Sequence, residues 1–516
     1  MSTRPGGPDL KRRWRRFVLR VQGRLDDETS DRILPWALAA ITFLTFAALD
    51  AAAERSLEGG SGLGPWLQAV WRREHGWSGV PVGGEDPARA TWSFISEPIL
   101  WLGRSIPPAG TFVVVQAAAI ALAIVPLWRL AREEARLRIG ATTVVIVAFV
   151  LAPALHRTNL SAFHPETIAL PLLLWAYLQA RREHWRLYAL LVVLVLACGA
   201  SLGVSVAGLG LVLFLGGQRR PGWITGITGL AWTVTAALVI DPHLPERALT
   251  PAGEFVARAF GPLAAASRIL TDPIDQGGRL LSEPGILFLV LVLAPLLFLP
   301  LVAPRKLSGA LPLLALAVVA DGAVQDVAQR GVINFSPVGA HIAPALAFVF
   351  IALVFALERI GTPSATRIHV DRRVLFALLA GAALFFLTEA PTSLYREPWA
   401  WGSQDAVDGA RLEAADLVGE RDSVAVSPSC TSLVAERAHV TELPLDAANL
   451  TPERVEATVD EARWVLLDTT GTDRETGRDY WQDADRPRVL TSFQEEGYEV
   501  VYAAQGIYLL APAQGA

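Results

Sequence analysis

A multi-pass α-helical membrane protein with an α/β domain at its C-terminal end is the fold class this chain of 516 residues predicts. Three observations predict it. Hydrophobic residues make up 52% of the chain and charged ones only 18%, with a mean hydropathy of +0.38, a balance that water-soluble domains of this length do not show. The apolar residues recur in runs of about 17 to 25, long enough to cross a bilayer as helices. After residue 391 the runs give way to polar spacing and turn signals. A net charge of -5 gives no case for a nucleic-acid partner; the partner to expect is membrane lipid, and no protein partner can be named. Two cysteines, Cys198 and Cys430, make neither a disulfide framework nor a metal-ligand spacing, so no metal is expected and no cofactor is indicated.

About eleven spans are expected, near 34–50, 110–130, 139–155, 167–180, 187–199, 200–216, 222–241, 285–303, 308–327, 336–357 and 373–391. The stretch 187–216 is long enough for one tilted helix or for a hairpin of two short ones bending at Gly199-Ala200-Ser201. Charge favours the hairpin. With Lys11-Arg-Arg-Trp-Arg-Arg16 in the cytoplasm, two crossings there put Arg129, Arg132, Arg136, Arg138, Arg181, Arg182, Arg186, Arg219, Arg220, Arg305, Lys306, Arg367, Arg372 and Arg373 on the same side. The first span could instead be a signal peptide cut at Ala51-Ala52-Ala53, but its charged leader of about 30 residues is long for one. The expectation is a plasma-membrane protein with a basic cytoplasmic N-terminus (1–33), a transmembrane domain (34–391, first outer loop about 50–109) and an extracytoplasmic α/β domain (392–516).

Ionisable residues other than these arginines collect in the segments assigned to the outer side, 50–109, 156–166, 241–284, 321–335 and beyond 391. The first loop carries five tryptophans, and Leu63 to Trp71 and Trp92 to Trp101 read as short interfacial helices. Their rings either anchor at headgroup depth or line a groove, since flat aromatic faces suit sugar and isoprenoid alike. In Ser161-Ala-Phe-His-Pro-Glu-Thr, Pro165 suits a helical first turn and Glu166 the positive end of that helix, whereas His164 is not explained by capping. His341 lies four to five residues into a span, where an ionisable group faces protein or a water-filled cavity. Asp326 and Arg330 are spaced to pair at i, i+4.

Beyond Trp399 and Trp401, strands are expected at Ser423 to Ser427, Arg463 to Asp468, Tyr498 to Tyr502 and Gly506 to Leu510, with helices over Asp405 to Val418 and Pro452 to Ala462. Asp468 closes a strand where α/β folds often bind ligands, but as a lone carboxylate it reads first as structural.

The His164-Pro165-Glu166 stretch, the arginine-rich break and apolar hairpin after it, Gln116 in its apolar run, and the α/β tail together resemble the family of domain of unknown function 2079, from about residue 34 to the end. That family is thought to be related to the GT-C glycosyltransferases, which implies a GT-C-like fold, a polyprenyl-phosphate sugar as donor and an acidic general base in the first outer loop. This chain departs from the pattern. The family's Asp-Leu-Gly and Phe-Asp-Gln read here as Gly62-Leu63-Gly64 and Trp66-Leu67-Gln68, its loop histidine as part of Thr91-Trp92-Ser93-Phe94, and its hairpin Lys-Glu-Asp as Gly199-Ala200-Ser201.

The chemistry so implied needs a base for the acceptor hydroxyl, cations for the phosphate and a dry groove for the lipid. Asp50, at the outer end of the first span, Glu54 one turn later, His164 and Glu166 are the catalytic candidates. Arg157, Arg330 and His341 are the polar substrate-binding candidates, with Trp66, Trp71 and Trp92 as aromatic ones. Two other functions stay open. A non-catalytic protein binding a lipid or partner through its outer face would suit the lost carboxylates, and a transporter or flippase would require charged or broken helices at mid-membrane, of which there are few.

Overall fold

In the computed structural model the described residues are 28–55, 57, 62–82, 84, 86–160, 163–239, 273–315, 342–364, 366–444, 450–473, 478–479, 481 and 485–513. The first helix, Glu28–Arg55, carries no charge between Arg32 and Asp50. At about 1.5 Å per residue that stretch rises about 27 Å, close to the ~30 Å of a hydrocarbon core. Four described helices are long and apolar enough to cross a membrane: Thr29–Arg55, Pro108–Glu134, Ile342–Ile360 and Arg372–Arg396. A fifth is reached if Ile139–Val150 and Pro153–Leu160, which meet at 43°, count as one span.

Helix is present in each of the eleven expected segments, although of 308–327 only 308–315 is described. Several helices are shorter than expected, and prolines give the reason. Pro153 lacks the N–H that would continue the 139–150 ladder, so the chain bends there. Pro295 and Pro300 break the 285–303 segment into Glu283–Leu293 and two 3-10 turns, Ala294–Leu296 and Leu299–Val302, with Leu297 and Phe298 left-handed between them. The stretch 187–216 divides into Trp185–Ala197 and Leu202–Leu215, with the break at Gly199-Ala200-Ser201. At 13 and 14 residues these helices rise only about 20 Å each. Leu202–Leu215 then packs backbone to backbone on Arg219–Val239, where a Cβ on Gly210 would stand 2.4 Å from the Gly226 nitrogen.

Ile342–Ile360 is the centre of the bundle, buried on every side and apolar all round. Glu166–Arg181 packs against it and against Pro108–Leu122. A five-stranded sheet follows, in the order His439–Glu442, Ser423–Val426, Trp464–Asp468, Ile507–Pro512, Tyr498–Ala504. Its first three strands are parallel and the last two antiparallel. The expected strands are present. His439–Glu442 was not expected, because His-Val-Thr-Glu carries one aliphatic residue and is made a strand by its neighbour at the sheet edge.

The first loop docks on this sheet domain. Gln68 Nε2 donates to the Arg437 carbonyl (3.3 Å), Val82 is buried in the core of the sheet domain, and the Trp77 and His439 rings meet edge-on at 5.0 Å. The sheet domain and the end of the bundle that holds Asp50 therefore share one side of the molecule.

Candidate functional site

Gln116, buried in the 108–122 helix, joins three segments with one amide. Its Nε2 donates to the carbonyls of Thr158 (2.8 Å) and Asn159 (3.2 Å), and its Oε1 accepts from His164 N (2.9 Å). Asn159 Nδ2 in turn donates to the Phe46 carbonyl at 3.0 Å, one turn before Asp50 on the first helix. The sequence signature thus has a physical basis: Gln116 and the His164-Pro165-Glu166 stretch touch, and they fix where the 153–160 segment sits.

Around this clamp, some buried polar atoms have no hydrogen-bond partner among the described residues. They are Asn159 Oδ1, Glu166 Oε2 and Thr167 Oγ1. Native interiors leave few such groups, because each costs about 1–3 kcal/mol unless something binds it. Glu166 is 2% exposed, at the first turn of its helix, beside the 198–201 turn. Residues 91–95 bind the same turn. Ala200 N donates to the Thr91 carbonyl (2.9 Å), Ile95 N to the Ala197 carbonyl (3.0 Å), and Trp232 Nε1 to the Gly199 carbonyl (3.3 Å). Trp92 is left-handed (φ 52°), a conformation that costs an aromatic residue about 1 kcal/mol, and its ring lies 4.9 Å from that of Trp232.

Arg157 heads a separate narrow crevice of about 30 Å³ lined by Leu291, Val292, Leu296, Leu346 and Phe350. Its Nη2 donates to the Glu389 carbonyl (2.9 Å), with the Glu389 carboxylate 3.8 Å away. Next to it, His156 is tied at both ring nitrogens, to the Val150 carbonyl (2.8 Å) and Thr392 Oγ1 (2.6 Å), between the rings of Phe46 and Phe386. That makes His156 a strut. The whole can accept hydrogen bonds from hydroxyl groups at its carboxylates and hold an anion at its guanidinium.

Of the residues singled out from sequence, Asp50 is buried at the end of the first helix and Glu54 half-buried one turn later. His164 is half-exposed at the clamp. Trp66 is fully buried against Phe163 (5.0 Å, edge-on) and Phe112 (5.9 Å), fastening the Gly64–His75 helix beside His164. Trp71 lies elsewhere, stacked on His75 at 4.4 Å. Arg330 and His341, like Asp326, fall outside the described residues. Asp468 is saturated by its own domain: Oδ2 accepts from Arg411 (2.9 Å) and Ser429 (2.5 Å), and Oδ1 from Thr470 N (2.8 Å) and Oγ1 (2.7 Å). Its carboxylate is a structural one.

Sequence reasoning passed over Asn159, Glu389 and Thr392. Glu389, a carboxylate closing an apolar run, was the one with a readable signal.

Residues 94–509 match the sequence model of a family described as "Predicted membrane protein (DUF2079)". No curated protein matches. Among solved structures, the arabinofuranosyltransferase AftD from Mycobacteria is similar at 15% identity and a TM-score of 0.49, covering 93% of this chain and 40% of that one. ArnT from Cupriavidus metallidurans, solved bound to undecaprenyl phosphate, is similar at 10% identity and a TM-score of 0.48, covering 95% of this chain and 99% of that one. The chain spans 40% of the length of AftD.

Proposed function

Because the chain belongs to the DUF2079 family of predicted membrane proteins, we propose that it is a GT-C-like glycosyltransferase of the plasma membrane. It uses a polyprenyl-phosphate sugar at the outer face, for assembly of a cell-envelope glycan. In this reading the N-terminus is cytoplasmic, about eleven spans follow, and the α/β domain is extracytoplasmic. The observation that carries it is the group of unpartnered buried polar atoms, Asn159 Oδ1, Glu166 Oε2 and Thr167 Oγ1, around the Gln116 clamp.

The acceptor hydroxyl loses its proton to Glu166 as its oxygen bonds to the anomeric carbon. The bond from that carbon to the phosphate oxygen breaks, and the phosphate leaves with the electron pair, held by the Arg157 guanidinium. The isoprenoid runs along the apolar residues beside Arg157, and Glu389 gives up its hold on Arg157 as phosphate arrives. Asp50 and Glu54 are the second carboxylates, His164 sets the entry to the clamp, Trp66 and Trp92 position the loop, and Arg330 and His341 complete the substrate set.

The test is sugar transfer from polyprenyl-phosphate sugars by the purified protein in nanodiscs. Glu166→Gln should lower the rate by about 10²- to 10⁴-fold without lowering the melting temperature, and Asp50→Asn by a smaller factor. Glu389→Gln should tighten binding of undecaprenyl phosphate. A second reading, a non-catalytic lipid or partner binder, is favoured by the neutral residues at Gly62, Gly64 and Gly199. Full complementation of a null strain by Glu166→Gln and Asp50→Asn would establish it and exclude the transferase.

A further inference from the structure

A second cleft, of about 310 Å³, opens at the seam between the first loop and the sheet domain. Trp71 and Glu74 come from the 64–75 helix, Arg104, Ser105 and Pro107 from the turn after the 96–102 helix, and Glu436 from the sheet domain. Its volume falls in the ~300–1,000 Å³ range of ligand sites. Among the described residues, the side chains of Glu74, Arg104 and Glu436 form no ion pair, although all three line the same space. Two carboxylates offer up to about eight acceptor sites between them and the guanidinium five donors, beside a flat indole.

We propose that this cleft binds a neutral oligosaccharide, the acceptor of the transferase reading on which the proposal rests. Vicinal hydroxyls both donate and accept, so they match carboxylates and guanidinium placed together, and the apolar face of a sugar ring matches Trp71. An anionic ligand would meet two carboxylates against one guanidinium. A lipid chain would gain little from a polar, open space. The cleft also points toward the clamp: Pro108 lines it and begins the helix that carries Gln116, about 12 Å further along. An acceptor of several sugars, held at Trp71, could present its end there.

The experiment is saturation-transfer NMR on the purified full-length protein in nanodiscs with no donor present. The probes are maltotriose, cellotriose, chitotriose, mannotriose and an arabinofuranosyl trisaccharide. Saturable binding of at least one is expected. Trp71→Ala should weaken it by about tenfold or more, Trp71→Phe should retain most of it, and Glu74→Gln and Glu436→Gln should each weaken it several-fold at unchanged melting temperature. The proposal is overturned if no trisaccharide saturates, if trilysine binds in their place, or if Glu74→Gln and Glu436→Gln bind like wild type. Trisaccharide binding without any sugar transfer would leave the cleft standing and remove the transferase. Transfer with an unchanged acceptor KM in these variants would do the reverse.

Discussion

Both ends of the helix bundle hold ion pairs, including Arg73 with Asp86 (2.7 Å) and Glu97 (2.8 Å) at the loop end, but they differ in the charge they leave over. At the arginine-rich end Asp31 accepts from Arg132 Nε (2.6 Å) and Nη2 (2.9 Å) and from Trp128 Nε1 (3.2 Å), with Arg367 Nη2 at 3.5 Å. Arg181 pairs with Glu134 at 3.1 Å, Arg182 pairs with Glu133, and Arg129 lies 5.1 Å over the Trp175 ring. At the other end Glu166 Oε2 has no hydrogen-bond partner, and the cleft at Trp71 is lined by charges that do not neutralise one another. Charges paired with their own chain are spent on holding helices together. Among the described residues, Glu166 Oε2 and the charges lining the Trp71 cleft keep hydrogen-bonding capacity that their own chain does not use.

The contrast can be broken most forcefully at Asp31. Arg132 is fully buried, so Asp31→Ala leaves a cation without its carboxylate and should cost about 3–5 kcal/mol, read as a fall in melting temperature. An unchanged melting temperature would mean that this end is no more a scaffold than the other. Asp468→Ala comes next: it strands Arg411, Ser429 and Thr470, costs about 2–3 kcal/mol, and leaves transfer per folded molecule unchanged. Proteolysis of the sheet domain would measure the first effect. A selective loss of transfer in a fully folded variant would return Asp468 to the ligand-binding role.

The smallest effect is one of pH. Lys306 lies 5.1 Å from the Phe355 ring and 5.2 Å from that of Tyr177, and burial, with Arg181 nearby, lowers its pKa from 10.5 to about 8. Between those values the unfolded chain binds the extra proton and the folded one does not, so stability should rise as pH climbs from about 8 to 10.5. The penalty of the buried charge is fully present below that window. Lys306→Met should flatten this part of a pH–melting curve; a persisting slope would assign it elsewhere.

Much of this was legible before any coordinates. The apolar runs mark helices because burial and the bilayer both demand them, and the sheet strands at 423–426 and 464–468 follow from their β-branched and aliphatic content. Pro295 and Pro300 were in plain view, but a long apolar run outweighs proline in a reading by hydropathy. At the site, Gln116, His164 and Glu166 could be named, yet their connection could not. It depends on Gln116 meeting carbonyls more than 40 positions away, which are backbone atoms and carry no sequence identity.

The hairpin turn has one further consequence. Where the resembled family carries Lys-Glu-Asp, this chain has Gly199-Ala200-Ser201, and a Cβ at 199 would stand 3.6 Å from Glu166 Oε1 and 3.4 Å from the Thr91 carbonyl, ordinary contact distances. A side chain therefore fits. A lysine there would make an internal salt with Glu166. Glycine leaves that carboxyl without a counter-ion from the turn, so one position decides whether Glu166 is tied into an internal ion pair or not.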